Sequence, residues 1–178
     1  MEQNKINLVG LTLSQLQEVT VELGMPMFTA KQMADWLYVK RVDSIDGMTN
    51  ISLKGRQALQ DQYTIGRHLP VAEAVSKDGT KKYLFPVKCS HLRGLNRSCD
   101  GSTPDDKLEE SAVEAVMIPD DDRATLCVSS QAGCRMGCKF CMTGRQGFHG
   151  HMSAADIISQ FIAVDESDRL TNAVFMGM

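Results

Sequence analysis

The sequence has no apolar run approaching the roughly 18 residues that a bilayer-spanning helix needs. Its first residues, Met-Glu-Gln-Asn-Lys-Ile, lack the apolar core of a secretion signal. Both absences point away from membrane and export, so the expected setting is the cytoplasm. An excess of positive charge is missing too: 19 Lys and Arg stand against 22 Asp and Glu, a net charge of -3. That argues against a protein that binds nucleic acid with its whole surface, but it leaves room for a local basic patch. Lys31, Lys40, Arg41, Lys54, Arg56, Arg67 and His68 supply one in the N-terminal third, with solvated helix faces as the plainer reading. What the chain does have is cysteine, six residues in all. Without a secretion signal, cysteines in this number suggest metal or redox chemistry rather than structural disulfides. Four lie between Cys127 and Cys141, while Cys89 and Cys99 sit in a separate polar stretch.

With 178 residues, 43% hydrophobic and 23% charged, the chain is ordinary for a globular protein of about one to two domains. Residues 11–62 read as helical. Thr12 or Ser14 caps a first helix bearing Leu13, Leu16, Val19 and Leu23, which Gly24 ends. Thr29 opens a second helix through Met33, Trp36, Leu37 and Lys40, and Ser52 a third through Leu53, Gln57 and Leu59. The Trp36 and methionine stripe reads as core. Residues 71–75 and 81–87 flank Asp78-Gly79, a strong hairpin signal. Residues 88–111 are polar and aperiodic and read as a long loop, in which Cys89, His91 and Cys99 lack the spacing of a metal site. Residues 113–118 and 126–129 read as strands. Ser153 caps a helix carrying Ile157, Ile158, Phe161 and Ile162, and residues 172–176 form a buried parallel strand. The fold class is therefore α/β: a helical domain (1–66), a hairpin with its polar loop (67–112, loop 88–111), and the first βαβ elements of a barrel or open sheet (113–178). One and a half βα units cannot close a barrel, so a truncated chain is expected.

The chemistry concentrates in Cys134-Arg-Met-Gly-Cys138-Lys-Phe-Cys141. Three soft thiolates on one short loop can wrap one side of a compact iron–sulfur centre. A four-iron cubane so held keeps one iron without a protein ligand, and an open coordination position makes a metal site catalytic. The methionine end of S-adenosylmethionine (SAM) can chelate there. The rival is a structural zinc site with Cys127, His149 or His151 as fourth ligand, but zinc knuckles use paired two-ligand clips, not a single three-cysteine loop. Phe140, just before the last cysteine, suits packing on an adenine ring, with ordinary loop packing as the alternative.

Cys-x-x-x-Cys-x-aromatic-Cys resembles the signature of radical-SAM enzymes. The run Ile118-Pro-Asp-Asp-Asp-Arg-Ala-Thr-Leu-Cys127-Val-Ser-Ser-Gln-Ala-Gly-Cys134, continued by Met142-Thr-Gly-Arg-Gln-Gly-Phe148, is similar to one subgroup, the RlmN family of adenine-C2 methyltransferases of 23S ribosomal RNA and transfer RNA. Phe28-Thr-Ala-Lys-Gln-Met-Ala-Asp-Trp36-Leu-Tyr and Met48-Thr-Asn-Ile-Ser-Leu53 are similar to that family's accessory RNA-binding domain. The resemblance covers about residues 10–87 and 112–178. It implies a small helical accessory domain, a β-hairpin section and the start of a radical-SAM partial (β/α) barrel.

The resemblance also implies roles. Cys134, Cys138 and Cys141 match the ligands of a [4Fe-4S] cluster that binds SAM. One SAM methylates a cysteine of the enzyme. A second, cleaved at the cluster, gives a 5′-deoxyadenosyl radical that takes a hydrogen from that methyl group, and the carbon radical adds to adenine C2. Glu114 matches the acceptor of the C2 proton. Cys127 matches the thiol that frees the product by forming a disulfide. On bare sequence, Glu114 would be a solvent-facing strand residue and Cys127 a buried strand thiol. The implied partners are 23S rRNA, tRNA and a flavodoxin-type electron donor, and the implied state is a monomer without membrane association. A Gly-Glu-Pro segment and the methyl-carrying cysteine, both expected after Met178, are absent, so the chain alone is expected not to turn over. Two rivals stand beside this reading: the related adenine-C8 methyltransferase, which the Pro-Asp-Asp-Asp-Arg-Ala-Thr-Leu-Cys run fits less well, and a non-catalytic RNA-binding remnant.

Overall fold

The computed structural model describes residues 5–90 and 108–176, without the side chains of residues 88–90 and 108–110. The chain folds as two units, Met1–Arg67 and His68–Met178.

In the first unit, β1 (Ile6–Asn7) leads into α1 (Leu13–Glu22). The Thr12 hydroxyl accepts from Gln15 N–H while the Gln15 side chain accepts from Thr12 N–H, a reciprocal cap that satisfies two otherwise orphaned donors. A second helix, α2 (Thr29–Ala34), continues through one wider turn, Asp35–Val39, in which Lys40 N–H reaches back five residues to the Asp35 carbonyl. Arg41 then takes a left-handed backbone, φ 53°, a position where glycine would carry no steric cost. Ser52 caps α3 (Leu53–Gln62), and β2 (Tyr63–Thr64) returns to pair in parallel with β1. The unit is closed by buried Leu8, Leu16, Met33, Leu37, Met48 and Leu59. Trp36 is only half-buried rather than core. Its indole donates to Asn50 and Lys40 Nζ lies 3.8 Å above its ring, so the ring's wet side serves a cation–π contact.

The second unit is built on a five-stranded sheet of order β3 (Ala72–Val75), β4 (Lys81–Ser90), β5 (Leu108–Pro119), β6 (Ala124–Ser129) and β9 (Asn172–Met176). Its first four strands run antiparallel, and β9 joins β6 in parallel. Between β6 and β9 lie a small antiparallel pair, β7 (Gln131–Gly133) with β8 (Phe148–His151), the short α4 (Met142–Arg145), and α5 (Ala154–Ile162). Ser153 and Asp156 cap α5 reciprocally. One face of the sheet is the core: Tyr83, Phe85, Ala115, Leu126 and Val128 are buried, and Ile157 and Phe161 of α5 pack against them.

The sheet departs from the sequence expectation in two places. The ladder between β4 and β5 runs from Lys81↔Met117 to Ser90↔Leu108, so both strands penetrate the stretch read as loop at 88–111. Paired backbone carries those residues although their side chains show no apolar alternation, the signal on which a strand is read from sequence. Residues 91–107, with His91 and Cys99, lie outside the described residues. Further, β9 is an edge of the sheet among the described residues and its side chains are exposed, not buried. Phe175 still reaches the core side, 6.1 Å from Phe161 between ring centroids.

Candidate functional site

Strand alternation sorts the sheet into a packed face and an open one. Val113, Ala115 and Met117 of β5 face the core, so Glu114, Val116 and Ile118 face the other way. In β6, Ala124, Leu126 and Val128 face the core, which turns Thr125, Cys127 and Ser129 to the open side. The register pairs Val116 with Cys127, placing Glu114 one pleat along the neighbouring strand on the same face as Cys127. Two residues distant in sequence thus meet on one surface. Cys127 is half-buried, not the buried strand thiol of the plainer reading.

Glu114 is held at several points. Its backbone lies in the ladder opposite Leu84, and its carbonyl accepts a hydrogen bond from Ser129 Oγ at 2.8 Å. Its carboxylate Oε1 lies 2.9 Å from Lys82 Nζ, which projects from β4 onto the same open face. A buried side chain unforeseen from sequence fixes the end of β6. Gln160, wholly inaccessible on α5, accepts from Ser129 N–H and donates to Ser129 C=O, each at 2.9 Å. An amide satisfying both backbone groups of one residue acts as a substitute strand partner; losing it would orphan buried groups at about 1–3 kcal/mol each. The signal was present in the sequence, as a glutamine on a helix face otherwise made of Ile157 and Phe161.

The three-cysteine run occupies a loop whose ends β7 and β8 clamp. Cys134 N–H donates to Gly147 C=O at 2.8 Å, and a Cβ on Gly133 (φ +71°) would lie 1.8 Å from that same oxygen. Only glycine fits there. Within the loop, a Cβ on Gly144 would come within 3.0 Å of Cys138 N, so α4 packs against the loop at another glycine. Cys141 precedes α4, and Gly144 N–H, then Thr143, donate to its sulfur and hold the thiol below its ordinary value. Cys134 Sγ accepts from Met136 N–H at 3.5 Å.

This donor set fits an iron–sulfur cluster in its chemistry. All three thiols lie on one loop, two receive backbone N–H groups, and the glycines let the backbone approach them closely. The side chains are not drawn together: among the described residues no three His, Cys, Asp or Glu groups are gathered as metal ligands. The candidate fourth ligands of a zinc site are occupied otherwise. His149 Nε2 lies 3.1 Å from Gln146 C=O, His151 meets Phe148 edge-on, and Cys127 belongs to the sheet. Phe140 is 94% exposed, while Arg135 covers Phe148 at 4.2 Å.

At the start of α5, His68 Nδ1 lies 2.8 Å from Asp156 Oδ1, and Ser153 donates to Oδ2 through both N–H and Oγ. Burial, the largest single influence, pushes the Asp156 carboxyl up. The bonds from His68 and Ser153 outweigh it and leave the carboxyl below its ordinary value. Of the cations read as a basic patch, Lys40 pairs with Asp35 at 3.0 Å, Arg56 donates to Asp46 C=O and Arg67 pairs with Asp43, whereas Lys31 and Lys54 are exposed. No helix among the described residues is long and apolar enough to cross a membrane.

Comparison with known proteins gives concordant matches. Residues 6–65 match the family described as ribosomal RNA large subunit methyltransferase N-terminal domain. The chain is 52% identical over 174 residues to a probable dual-specificity RNA methyltransferase RlmN of Bacteroides fragilis, covering 98% of the chain and 45% of that protein. It is 50% identical over 178 residues to the protein of the same description from Phocaeicola vulgatus, covering 45% of it. It is 39% identical over 174 residues to the dual-specificity RNA methyltransferase RlmN of Geotalea uraniireducens. The chain thus spans about 45% of the length of these curated relatives. Its fold matches the crystal structure of a radical SAM methyltransferase from Sphaerobacter thermophilus with a TM-score of 0.75 and 30% identity, over 97% of this chain and 47% of that one.

Proposed function

We propose that the chain belongs to the RlmN family, whose members it matches over about 45% of their length, and that the whole protein is a radical-SAM methyltransferase acting on C2 of a specific adenosine in 23S ribosomal RNA and in transfer RNA. The observation that carries this reading beyond kinship is the shared open face of Glu114 and Cys127. A methylation that goes through a covalent enzyme–RNA species needs a base for the C2 proton and a thiol to release the product. One sheet surface offers both.

Cys134, Cys138 and Cys141 would hold a [4Fe-4S] cluster, with Phe140 beside the adenine of SAM. When bound, the pair would supply one-electron cleavage of a sulfonium bond, which opens a carbon too electron-poor for ordinary methyl transfer, and would take back the single electron that the RNA adduct sheds as it loses its proton. Glu114 takes the C2 proton onto a carboxylate oxygen. The Cys127 sulfur then attacks the sulfur of the enzyme's methyl-carrying cysteine in the enzyme–RNA adduct. The S–S bond forms as the S–C bond breaks, and the electron pair goes to the departing carbon, which takes up a proton to become the methyl group. The helical unit, with exposed Lys31 and Lys54, contributes to RNA binding. We further assign a cytoplasmic setting, a monomeric state, a flavodoxin-type reductant for the single electron, and a place in both rRNA and tRNA processing.

The test is nucleoside analysis of RNA treated with the anoxic whole protein, SAM and reductant. The account expects 2-methyladenosine, with Glu114→Gln reducing its rate by about 10²–10⁴-fold, the span of a lost proton acceptor. Methylation at C8, or none, would overturn the assignment.

A further inference from the structure

We propose that Lys82 is the positioning residue for Glu114: its ammonium fixes the carboxylate on the open face with one oxygen bound and the other left to accept the proton. The inference rests on the reading of Glu114 as the acceptor of the C2 proton and adds to it the group that aims it.

Three observations carry it. Lys82 Nζ lies 2.9 Å from Glu114 Oε1, while among the described residues Oε2 has no partner. Tyr83, Phe85 and Val87 of β4 face the core, so alternation puts Lys82 on the same open face as Glu114, one pleat away from Leu84, which stands directly opposite Glu114. And Glu114 is already fixed at its backbone by the ladder and by Ser129 Oγ, so the side-chain torsions are the freedom that remains. A glutamate carries several such torsions. A proton acceptor must stand within hydrogen-bond reach of the proton it removes.

Both side chains of the pair are about half exposed, 52% and 55%, and ion pairs of that kind contribute little to stability. The consequence of the contact therefore lies in orientation. With Oε1 bound, Oε2 receives the proton: the C2–H bond breaks, the Oε2–H bond forms, and the bonding pair stays with the purine ring. The nearest alternative is that Lys82 contacts an RNA phosphate. Its closeness to Glu114 favours the carboxylate, and kinetics distinguish the two.

The experiment compares the whole enzyme with Lys82→Met, Lys82→Arg and Glu114→Gln on RNA bearing hydrogen or deuterium at adenine C2. The expected result is a kcat about 10-fold lower for Lys82→Met, inside the 10²-fold that a misplaced reacting group costs. The KM for RNA and the thermal unfolding midpoint stay unchanged, the deuterium isotope effect rises because proton removal becomes slow, and Lys82→Arg restores both kcat and isotope effect. Wild-type kcat and isotope effect in Lys82→Met, with Glu114→Gln inactive, would overturn the proposal while leaving the acceptor in place. A raised KM at unchanged kcat would overturn it in favour of an RNA contact. Full activity of Glu114→Gln would remove the acceptor itself, and Lys82 with it.

Discussion

Cys141 differs from an ordinary exposed thiol because backbone N–H groups of Gly144, and then Thr143, stabilise its thiolate. The thiolate is the reactive form, so a lowered pKa raises its fraction at neutral pH. The metal-free protein should therefore alkylate at Cys141 with a pH inflection below the ordinary thiol value of about 8.5, and Thr143→Val should move that inflection up by removing the Thr143 hydroxyl, which also donates to the sulfur. Peptide mass spectrometry after timed iodoacetamide pulses reads both; an inflection at the ordinary value would contradict the electrostatics described. At this scale the sequence was legible unevenly. Cys134, Cys138 and Cys141 are visible as a spacing. Glu114 and Cys127 gain roles only through resemblance, since a lone glutamate and a lone cysteine on strands carry no local signal. Their shared face comes from a register between strands, which no spacing within either strand encodes. Gln160 and Lys82 carry no local signal for the same reason: what they touch is remote in sequence.

Among the elements, the hairpin of β7 and β8 governs the cysteine loop, and it was missed from sequence. Each strand is too short to show alternation, and β8 is the unpromising Phe-His-Gly-His. Its glycines divide by what surrounds them. Gly133 meets the Gly147 carbonyl where a Cβ would sit, whereas Gly147, also at positive φ, has open space. Gly133→Ala should therefore open the clamp and abolish iron uptake during anoxic reconstitution, while Gly147→Asn, a residue that tolerates the left-handed region, should keep most of it. Equal iron content in the two variants would contradict the clamp. The capped helices were readable because Thr12, Ser52 and Ser153 stand where caps are needed. The ends of β4 and β5 were not, since backbone pairing there outruns any apolar pattern.

For the molecule as a whole, the chain divides into a helical unit of mixed charge, which the family match covers, and a sheet unit to whose open face and cysteine loop the proposed function assigns the chemistry. Net charge hides the division, since residues 1–67 hold seven Lys and Arg against seven Asp and Glu, of which Lys40 pairs with Asp35 and Arg67 with Asp43. The central claim is that this open face processes a covalent RNA intermediate, with Cys127 as the thiol that resolves it. The most direct test is to incubate whole protein carrying Cys127→Ala, anoxic and cluster-loaded, with SAM, reductant and labelled RNA, and to run the products on a denaturing gel. The account predicts a protein–RNA band that survives denaturation and little methylated product; turnover at the wild-type rate with no such band would contradict it.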